Sequence, residues 1–544
     1  MAYALPFIVG MVVTMVCLPI LVRLPSRWSV MDQPGDRKVH AMPIPRVGGL
    51  AMALGVCIAA IWTVKLDGRD IWFLAAAAIL IAFGFLDDRF DLNYRIKLVG
   101  QLLAISIVVL MGDVRIDTIT LDDRFWLPGW LPIPLTIFFL TGITNAINLA
   151  DGLDGLAGGT TFLCLCAVAF LSSASGAGSS AALALAFAGA VLGFLRFNTF
   201  PATVFMGDAG SQLLGFSIGV LSIRATQSPS SQISATIPVL LLALPILDTL
   251  SVMVQRVSEG RSPFSADKNH IHHKLLALGF HHHEAVMVIY TLQAALFVIA
   301  YFMRYESDVE ILAVVSSIFV GAVALLQLAT RTGWRLRGRA TGAKSSGPPS
   351  SLPATSQLLP YFSYAAIVAG ICVYALLIVI DGVTPSVDVR LFVLGLLVVI
   401  VGFLLVFRRA QLRVVERAVI YVTATVLVYL DATVPVPNRI MSIIGWSAIS
   451  VVAAATALRL RVFSDRNFQV TPLDLIVLFM ALVVPNLPGI FDLPHGGALA
   501  IAKLVVLYYA LEMLVSRSES RALWLRVGAA CVLGGLAVRP LVHF

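Results

Sequence analysis

Apolar stretches of membrane-crossing length follow one another along this 544-residue chain with only short polar connectors between them. A bilayer core takes one helix of roughly 20 such residues per crossing. Candidate spans lie near residues 4–22, 47–64, 71–86, 96–112, 131–148, 156–173, 180–197, 210–226, 235–255, 285–303 and 309–329. The eighth is the weakest, because Gln212 and Ser217 interrupt it. Composition agrees: 59% of residues are hydrophobic and only 12% charged, about half the charged share of an ordinary soluble protein, and the mean hydropathy is +0.92. The opening run has no basic stretch before it and no small-residue cleavage site after it. A retained first helix is therefore expected rather than a cleaved signal peptide.

The pattern breaks after residue 330, where Arg331, Arg335, Arg337, Arg339 and Lys344 lead into a run rich in Ser, Gly and Pro. That is the composition of a flexible linker. Beyond it, further spans fall near 361–380, 390–407, 418–430, 440–457, 472–490, 497–515 and 524–540. The expected fold is an all-α polytopic membrane protein. It has a core of about eleven helices in residues 1–330, a basic cytoplasmic linker at 331–360 and about seven additional transmembrane helices in 361–544. The six cysteines, Cys17, Cys57, Cys164, Cys166, Cys372 and Cys531, are scattered. They read as small core residues rather than a disulfide or metal set.

Charge sets the orientation. If the first helix runs inward, the loops 23–46, 87–97, 255–274, 331–344, 408–417, 459–466 and 517–521 face the cytoplasm, and they hold nearly all the Lys and Arg, as the positive-inside rule requires. The net charge of +8 then belongs beside anionic headgroups and requires no nucleic acid. The same alternation places five polar clusters, residues 32–40, 87–91, 145–154, 205–211 and 267–273, on that one face. Carboxylates at a membrane edge are costly unless they bind something, so the clusters read as one divided active site.

The residue types suit phosphate chemistry. Lys38 and His40 in the first cluster, with Arg46 just beyond it, are candidate substrate-binding donors. In the second, a helical continuation puts Asp87 and Asp91 on one face and Asp88 elsewhere, against the plain alternative of a solvated helix end. Lys97 sits just inside the next span, either for a phosphate or as a snorkelling lysine. Asn145, Asn148 and Asp151 recur at spacings of three and offer the hard oxygen donors that Mg²⁺ prefers; helix-packing amides are the structural alternative. Asp154 and the glycines around it open a helix whose N-terminus favours phosphate. Asp208 lies between glycines at a helix start and could be a simple N-cap, with Arg196 nearby and Asn198 a candidate substrate-binding amide. His270, His272 and His273 have no accompanying cysteine or fourth ligand at zinc spacing, so phosphate or sugar-hydroxyl recognition is the better reading. The run His281, His282 and His283 reads as loop surface.

Together and in this order, these strings resemble the polyprenyl-phosphate N-acetylhexosamine-1-phosphate transferase superfamily, which is related to the phospho-muramyl-pentapeptide translocases, over roughly residues 1–330. The resemblance implies a UDP-N-acetylhexosamine and a phosphorylated polyprenol, such as undecaprenyl phosphate, meeting with Mg²⁺, or Mn²⁺ in its place. The products are polyprenyl-diphospho-sugar and UMP, at the first membrane step of cell-envelope glycan synthesis such as O-antigen or cell wall. It implies a bacterial cytoplasmic membrane protein with its site facing the cytoplasm. By position it makes Asn148 and Asp208 the metal ligands, and Asp87 and Asp88 the aspartate pair that activates the lipid phosphate, Asp87 foremost. Lys97 becomes a phosphate holder, Asp151 and Asp154 the acidic positions behind the nucleotide pocket, and His270, His272 and His273 the histidine motif of the substrate loop. Ser262, Pro263 and Phe264 with the histidine string are similar to the hexosamine-transferring branch rather than the muramyl-pentapeptide branch; GlcNAc-1-phosphate is the group expected, and the string leaves the choice among UDP-N-acetylhexosamines open.

The chemistry fits: an anionic phosphate attacking a diphosphate needs cationic neutralisation and alignment more than a covalent protein intermediate. A multi-spanning solute or ion transporter is the alternative, and it predicts polar groups at mid-span and related halves. The C-terminal spans carry no dense polar cluster and give no warrant for a chemical role; docking of a later glycosyltransferase or stabilisation of a homodimer is the hypothesis for them, and Arg439, Asp474 and Lys503 read as interface or helix-end charges.

Overall fold

The computed structural model describes residues 4–23, 30–33, 43–121, 123–262, 270–336, 359–380, 394–395, 412–433, 439–462, 472 and 497–515. The chain divides into two compact units, one over Ala2–Ala343 and the other from Lys344 onward, apart from Met1 and Thr471–Ile476. It is an all-α membrane protein.

The helices of the first unit are α1 (Ala4–Leu21), α2 (Gly48–Thr63), α3 (Gly68–Phe90), α4 (Tyr94–Leu110), α5 (Pro132–Ala150), α6 (Leu156–Ala174), α7 (Gly178–Asn198), α8 (Gly207–Gln227), α9 (Ile237–Leu241), α10 (Ala243–Ser258), α11 (Ile271–Ala277), α12 (His282–Met303) and α13 (Asp308–Arg331). Two short antiparallel hairpins complete it: β1 (Met31–Asp32) with β2 (Ile44–Pro45), and β3 (Thr118–Thr120) with β4 (Arg124–Trp126). Among the described residues, α3, α5, α6, α7, α12 and α13 are long and apolar enough to cross a bilayer.

Helices α6 and α7 are apolar all round and run buried through the bundle, as such helices must outside lipid contact. Helix α8 is the hub: it packs on α2, α3, α5 and α6. Its polar residues explain its weak apolar signal, because a helix enclosed by protein need not match lipid. Gln212, for example, accepts from Gln101 of α4 at 3.2 Å.

The span expected near 235–255 is two helices, broken at Leu242. Pro245 has no N–H to return to the Leu241 carbonyl, and that carbonyl instead accepts from Gln293 of α12 at 2.8 Å. At the end of the bundle away from the clusters, Arg224 of α8 pairs with the buried Asp70 of α3 at 2.6 Å. The buried Asp308 carboxylate there accepts from the Thr236 amide and hydroxyl at 2.9 and 2.8 Å.

The second unit contains α14 (Leu359–Ile380), α15 (Leu412–Thr433), α16 (Arg439–Val462) and α17 (Gly497–Val515). Of the two roles expected for Lys503, interface and helix-end charge, it has the first. Its ammonium pairs with Asp431 of α15 and lies 4.1 Å from the Trp446 ring centroid of α16, while the Tyr374 hydroxyl of α14 donates to Asp431 at 2.8 Å. All but residue 472 of the span expected near 472–490, the whole of 524–540, most of 390–407 and of the linker, and Asp474 lie outside the described residues.

Candidate active site

The segment before α2 and the segment before α8 hold each other by backbone pairing. The Phe205 N–H donates to the Pro45 carbonyl, and the N–H groups of Gly48 and Gly49 donate to the carbonyls of Phe205 and Met206, all at 2.9 Å. Gly207 then adopts a φ of 69°, which favours glycine, and a Cβ there would collide with the Asp88 carboxylate. The first amides of α8 consequently face Asp88: Asp208 N–H donates to Oδ1 at 2.9 Å and Ala209 N–H to Oδ2 at 3.2 Å. A carboxylate from α3 thus caps the positive end of α8. Arg46 is ion-paired with Asp32 and lies 3.7 Å from Asp88 Oδ1. Burial alone would lower the Arg46 guanidinium, but the Asp32 and Asp88 carboxylates hold it above its ordinary value.

This scaffolding presents the Asp208 side chain between α4 and α5. Its Oδ1 accepts from Asn148 Nδ2 at 2.9 Å, and its Oδ2 lies 3.2 Å from Lys97 Nζ. The same ammonium is 2.5 Å from Asp87 Oδ2, and Asp87 Oδ1 accepts from the Leu92 N–H at 2.8 Å. Asp87, Lys97, Asn148 and Asp208, distant in sequence, therefore form one connected cluster at one end of the bundle. Asp91 departs from expectation. The helix ends at Phe90, and Asp91 turns to a φ of 49° and is exposed, its N–H returning to the Asp87 carbonyl. Asp87 and Asp91 do not share a working face.

The residues of the α5 to α6 turn have divided roles. Asn145 turns to Gln101, donating to Oε1 at 2.9 Å, and so joins the amide network between α4, α5 and α8 rather than the carboxylates. Asp151 ends α5 and is exposed beside the cluster. Asp154 accepts the Ala202 N–H at 2.9 Å, tying the turn to the segment after α7. Asn198, expected at the substrate, is buried to 3% exposure: it accepts from Gly155 N–H at 3.0 Å and donates to the Val204 carbonyl at 2.9 Å. Both ends of its amide are spent on backbone, so it shapes the turn and does not face an open site.

His270 precedes α11 and places Nδ1 2.9 Å from Asp248 Oδ2, while Asp248 Oδ1 accepts the Ile271 N–H at 2.7 Å. His272 is buried over Gly152, where a Cβ would meet its ring; His273 lies 4.2 Å away, centroid to centroid. Burial, then the neighbouring His273, pushes the His272 imidazole down to about 4, leaving it neutral at pH 7. His281 is exposed at the N-cap position of α12, as loop surface would be, whereas His282 begins the helix half-buried and stacks on Phe200 at 4.6 Å. Lys38 and His40 lie outside the described residues. Reading the sequence missed Asp248, Gln101 and Tyr290, whose hydroxyl donates to the Gly155 carbonyl at 2.5 Å. A carboxylate inside an apolar span was the available signal for Asp248.

Among the described residues no three Asp, Glu, His or Cys side chains converge as a ready metal cage. The oxygen donors of Asn148 and Asp208 nevertheless suit Mg²⁺, which commonly takes one or two protein oxygens and completes its shell with water and substrate phosphate. Such binding requires the Asn148 amide to turn its oxygen rather than its nitrogen toward Asp208's ion, and the two orientations are sterically alike.

An all-α membrane bundle that gathers a lysine, an arginine, an amide and carboxylates from separate segments at one end has the features of an enzyme for phosphorylated substrates at a membrane edge. Comparison with known proteins narrows the class. The sequence model for Glycosyl transferase family 4 matches residues 71–226, which include Asp87, Lys97, Asn148 and Asp208. A Bacillus subtilis protein named "probable undecaprenyl-phosphate N-acetylglucosaminyl 1-phosphate transferase" is 38% identical over 289 residues, which cover 52% of this chain and 80% of that protein. The decaprenyl-phosphate N-acetylglucosaminephosphotransferase of Mycolicibacterium smegmatis is 35% identical, over 49% of this chain and 73% of its own. The undecaprenyl-phosphate alpha-N-acetylglucosaminyl 1-phosphate transferase of Escherichia coli K12 is 30% identical, over 50% and 76%. The chain belongs to the polyprenyl-phosphate N-acetylhexosamine-1-phosphate transferase family.

Proposed function

We propose that the protein transfers N-acetylglucosamine 1-phosphate from UDP-GlcNAc to a polyprenyl phosphate at the cytoplasmic face of a bacterial cytoplasmic membrane. An oxygen of the lipid phosphate attacks the sugar-bearing phosphorus, the diphosphate bridge breaks, and UMP leaves with the bond's electron pair. The observation that carries this reading is the Lys97 ammonium held between Asp87 and Asp208, with Asn148 on the other oxygen of Asp208. Those contacts support the reading, because a cation and oxygen donors gathered together are what two phosphorylated substrates need if they are to approach one another.

The acceptor phosphate is already largely ionised at pH 7, since its second proton leaves near pH 6. It needs positioning and charge neutralisation more than a strong base. Lys97 supplies a positive charge, and Asp87 holds that lysine at the end of α3. Asp88 spends both oxygens on the start of α8; it fixes Asp208, and of the pair Asp87 is the one that faces the reacting groups. Arg46, beside Asp88, is a second cationic donor at the same edge. Asn148 and Asp208 would hold Mg²⁺ or Mn²⁺, which when bound offsets the diphosphate charge and favours departure of UMP. The imidazoles over the α5 to α6 turn serve as donors or acceptors for the sugar nucleotide.

Purified protein given UDP-GlcNAc, a polyprenyl phosphate and Mg²⁺ should release UMP and form a diphospho-sugar lipid, with UDP-GalNAc run in parallel to identify the sugar. Substrate-dependent UMP release from neither nucleotide sugar would remove the reading.

A further inference from the structure

The buried carboxylate of Asp248 takes no part in the cluster around Asp208. It stands on α10, which packs against α5, the helix whose last turn holds Asn148 and whose C-cap is Asp151. Both of its oxygens are engaged with the residues that begin α11: Oδ2 with His270 Nδ1 at 2.9 Å and Oδ1 with the Ile271 N–H at 2.7 Å. Helix α11 has only seven residues, too few to hold its own shape in water, so its place depends on anchors. Accepting from Nδ1–H, the carboxylate keeps a proton on that ring nitrogen and leaves Nε2 for a further partner. The His270 ring lies parallel to His272, with 5.7 Å between centroids and 4° between planes, and His272 rests over Gly152.

We infer that Asp248 is a positioning residue for the sugar-nucleotide donor: it fixes the ring of His270 and, through the start of α11, the row of imidazoles laid against the 151–154 turn. The assignment to the donor follows from where the row lies. Helix α11 is short; His270 and His272 are buried against the turn and His273 is half-exposed, so the row presents its His273 edge to a substrate arriving from water. The polyprenyl phosphate arrives instead from the hydrocarbon. The inference rests on the proposed function for its substrates.

The test is steady-state kinetics of the full-length protein with UDP-GlcNAc and polyprenyl phosphate varied separately. Asp248→Asn keeps the shape but offers one acceptor where two are used. It should raise KM for UDP-GlcNAc about tenfold, the size expected for a lost charged hydrogen bond, while KM for polyprenyl phosphate moves less than about twofold on the same scale. Because Asp248 acts through His270, the double variant with His270→Asn should be no worse for the donor than His270→Asn alone. An equal rise in both KM values, or additive losses in the double variant, overturns the inference. If Asp248→Asn does not accumulate folded in membranes, His270→Asn decides alone: an unchanged donor KM overturns the inference and a selective donor defect upholds it. Absence of turnover by the unmodified protein removes the proposed function itself, an outcome distinct from all of these.

Discussion

His272 shows how the bundle end treats an ionisable side chain. With 3% of its surface exposed, it protonates only near pH 4, whereas an unfolded imidazole takes up its proton near 6.5. The unfolded or undocked state binds more protons in that interval, so the stability of the folded site is fully present above about pH 6.5 and is lost as pH falls toward 4, by about 3 kcal/mol across the window. Hydrogen exchange of the α11 amides, corrected for the intrinsic pH effect, should accelerate on acidification from pH 7 to 5. His272→Gln should flatten that dependence; an identical slope in the variant contradicts the account. At this scale the sequence was informative where a residue type is costly. Asp87, Lys97, Asn148 and Asp208 stand out because charges and amides near lipid need a reason. Asn198 stands out equally, yet its amide serves only backbone groups. Nothing in the chain distinguishes an amide that faces a ligand from one that closes a turn, since partners brought by tertiary folding are not local.

Helix boundaries were legible for a different reason. Lipid and protein interiors both demand apolar residues, so span-length runs near 156–173 and 180–197 match α6 and α7 closely. The break at Leu242 was encoded in Pro245 but hidden by the apolar residues on either side. Helix pairing was not legible, and the second unit shows the cost. Lys503, Asp431, Tyr374 and Trp446 come from four helices and neutralise one another. The pair is largely but not fully enclosed, so removing one partner leaves the other poorly compensated, at a cost below the roughly 3 kcal/mol of a fully buried pair. Lys503→Ala should therefore lower the thermal stability of the second unit, and Lys503→Met combined with Asp431→Leu should recover most of the loss. A double variant as unstable as the single one would show that the pair is not what binds these helices.

Over the whole molecule, the chemistry-bearing residues and the additional helices lie in separate units. The family match at residues 71–226 falls within the first, and the relatives align over 52%, 49% and 50% of the chain. A protein ending at residue 343 should fold in membranes and retain UMP release within about threefold, a change of well under 1 kcal/mol in barrier. Loss of activity from well-folded truncated protein would assign the second unit a part in the reaction. The central claim is that Asn148 from α5 and Asp208 from α8 create a divalent-cation-dependent phosphate-transfer site. Its most direct test is UMP release by purified Asp208→Ala across a Mg²⁺ titration, with folding checked by thermal stability. The account predicts a stable protein whose Mg²⁺-dependent UMP release falls at least about a thousandfold, the scale of losing a principal electrostatic group in phosphoryl transfer; turnover near the unmodified rate, with the same Mg²⁺ dependence, would contradict it.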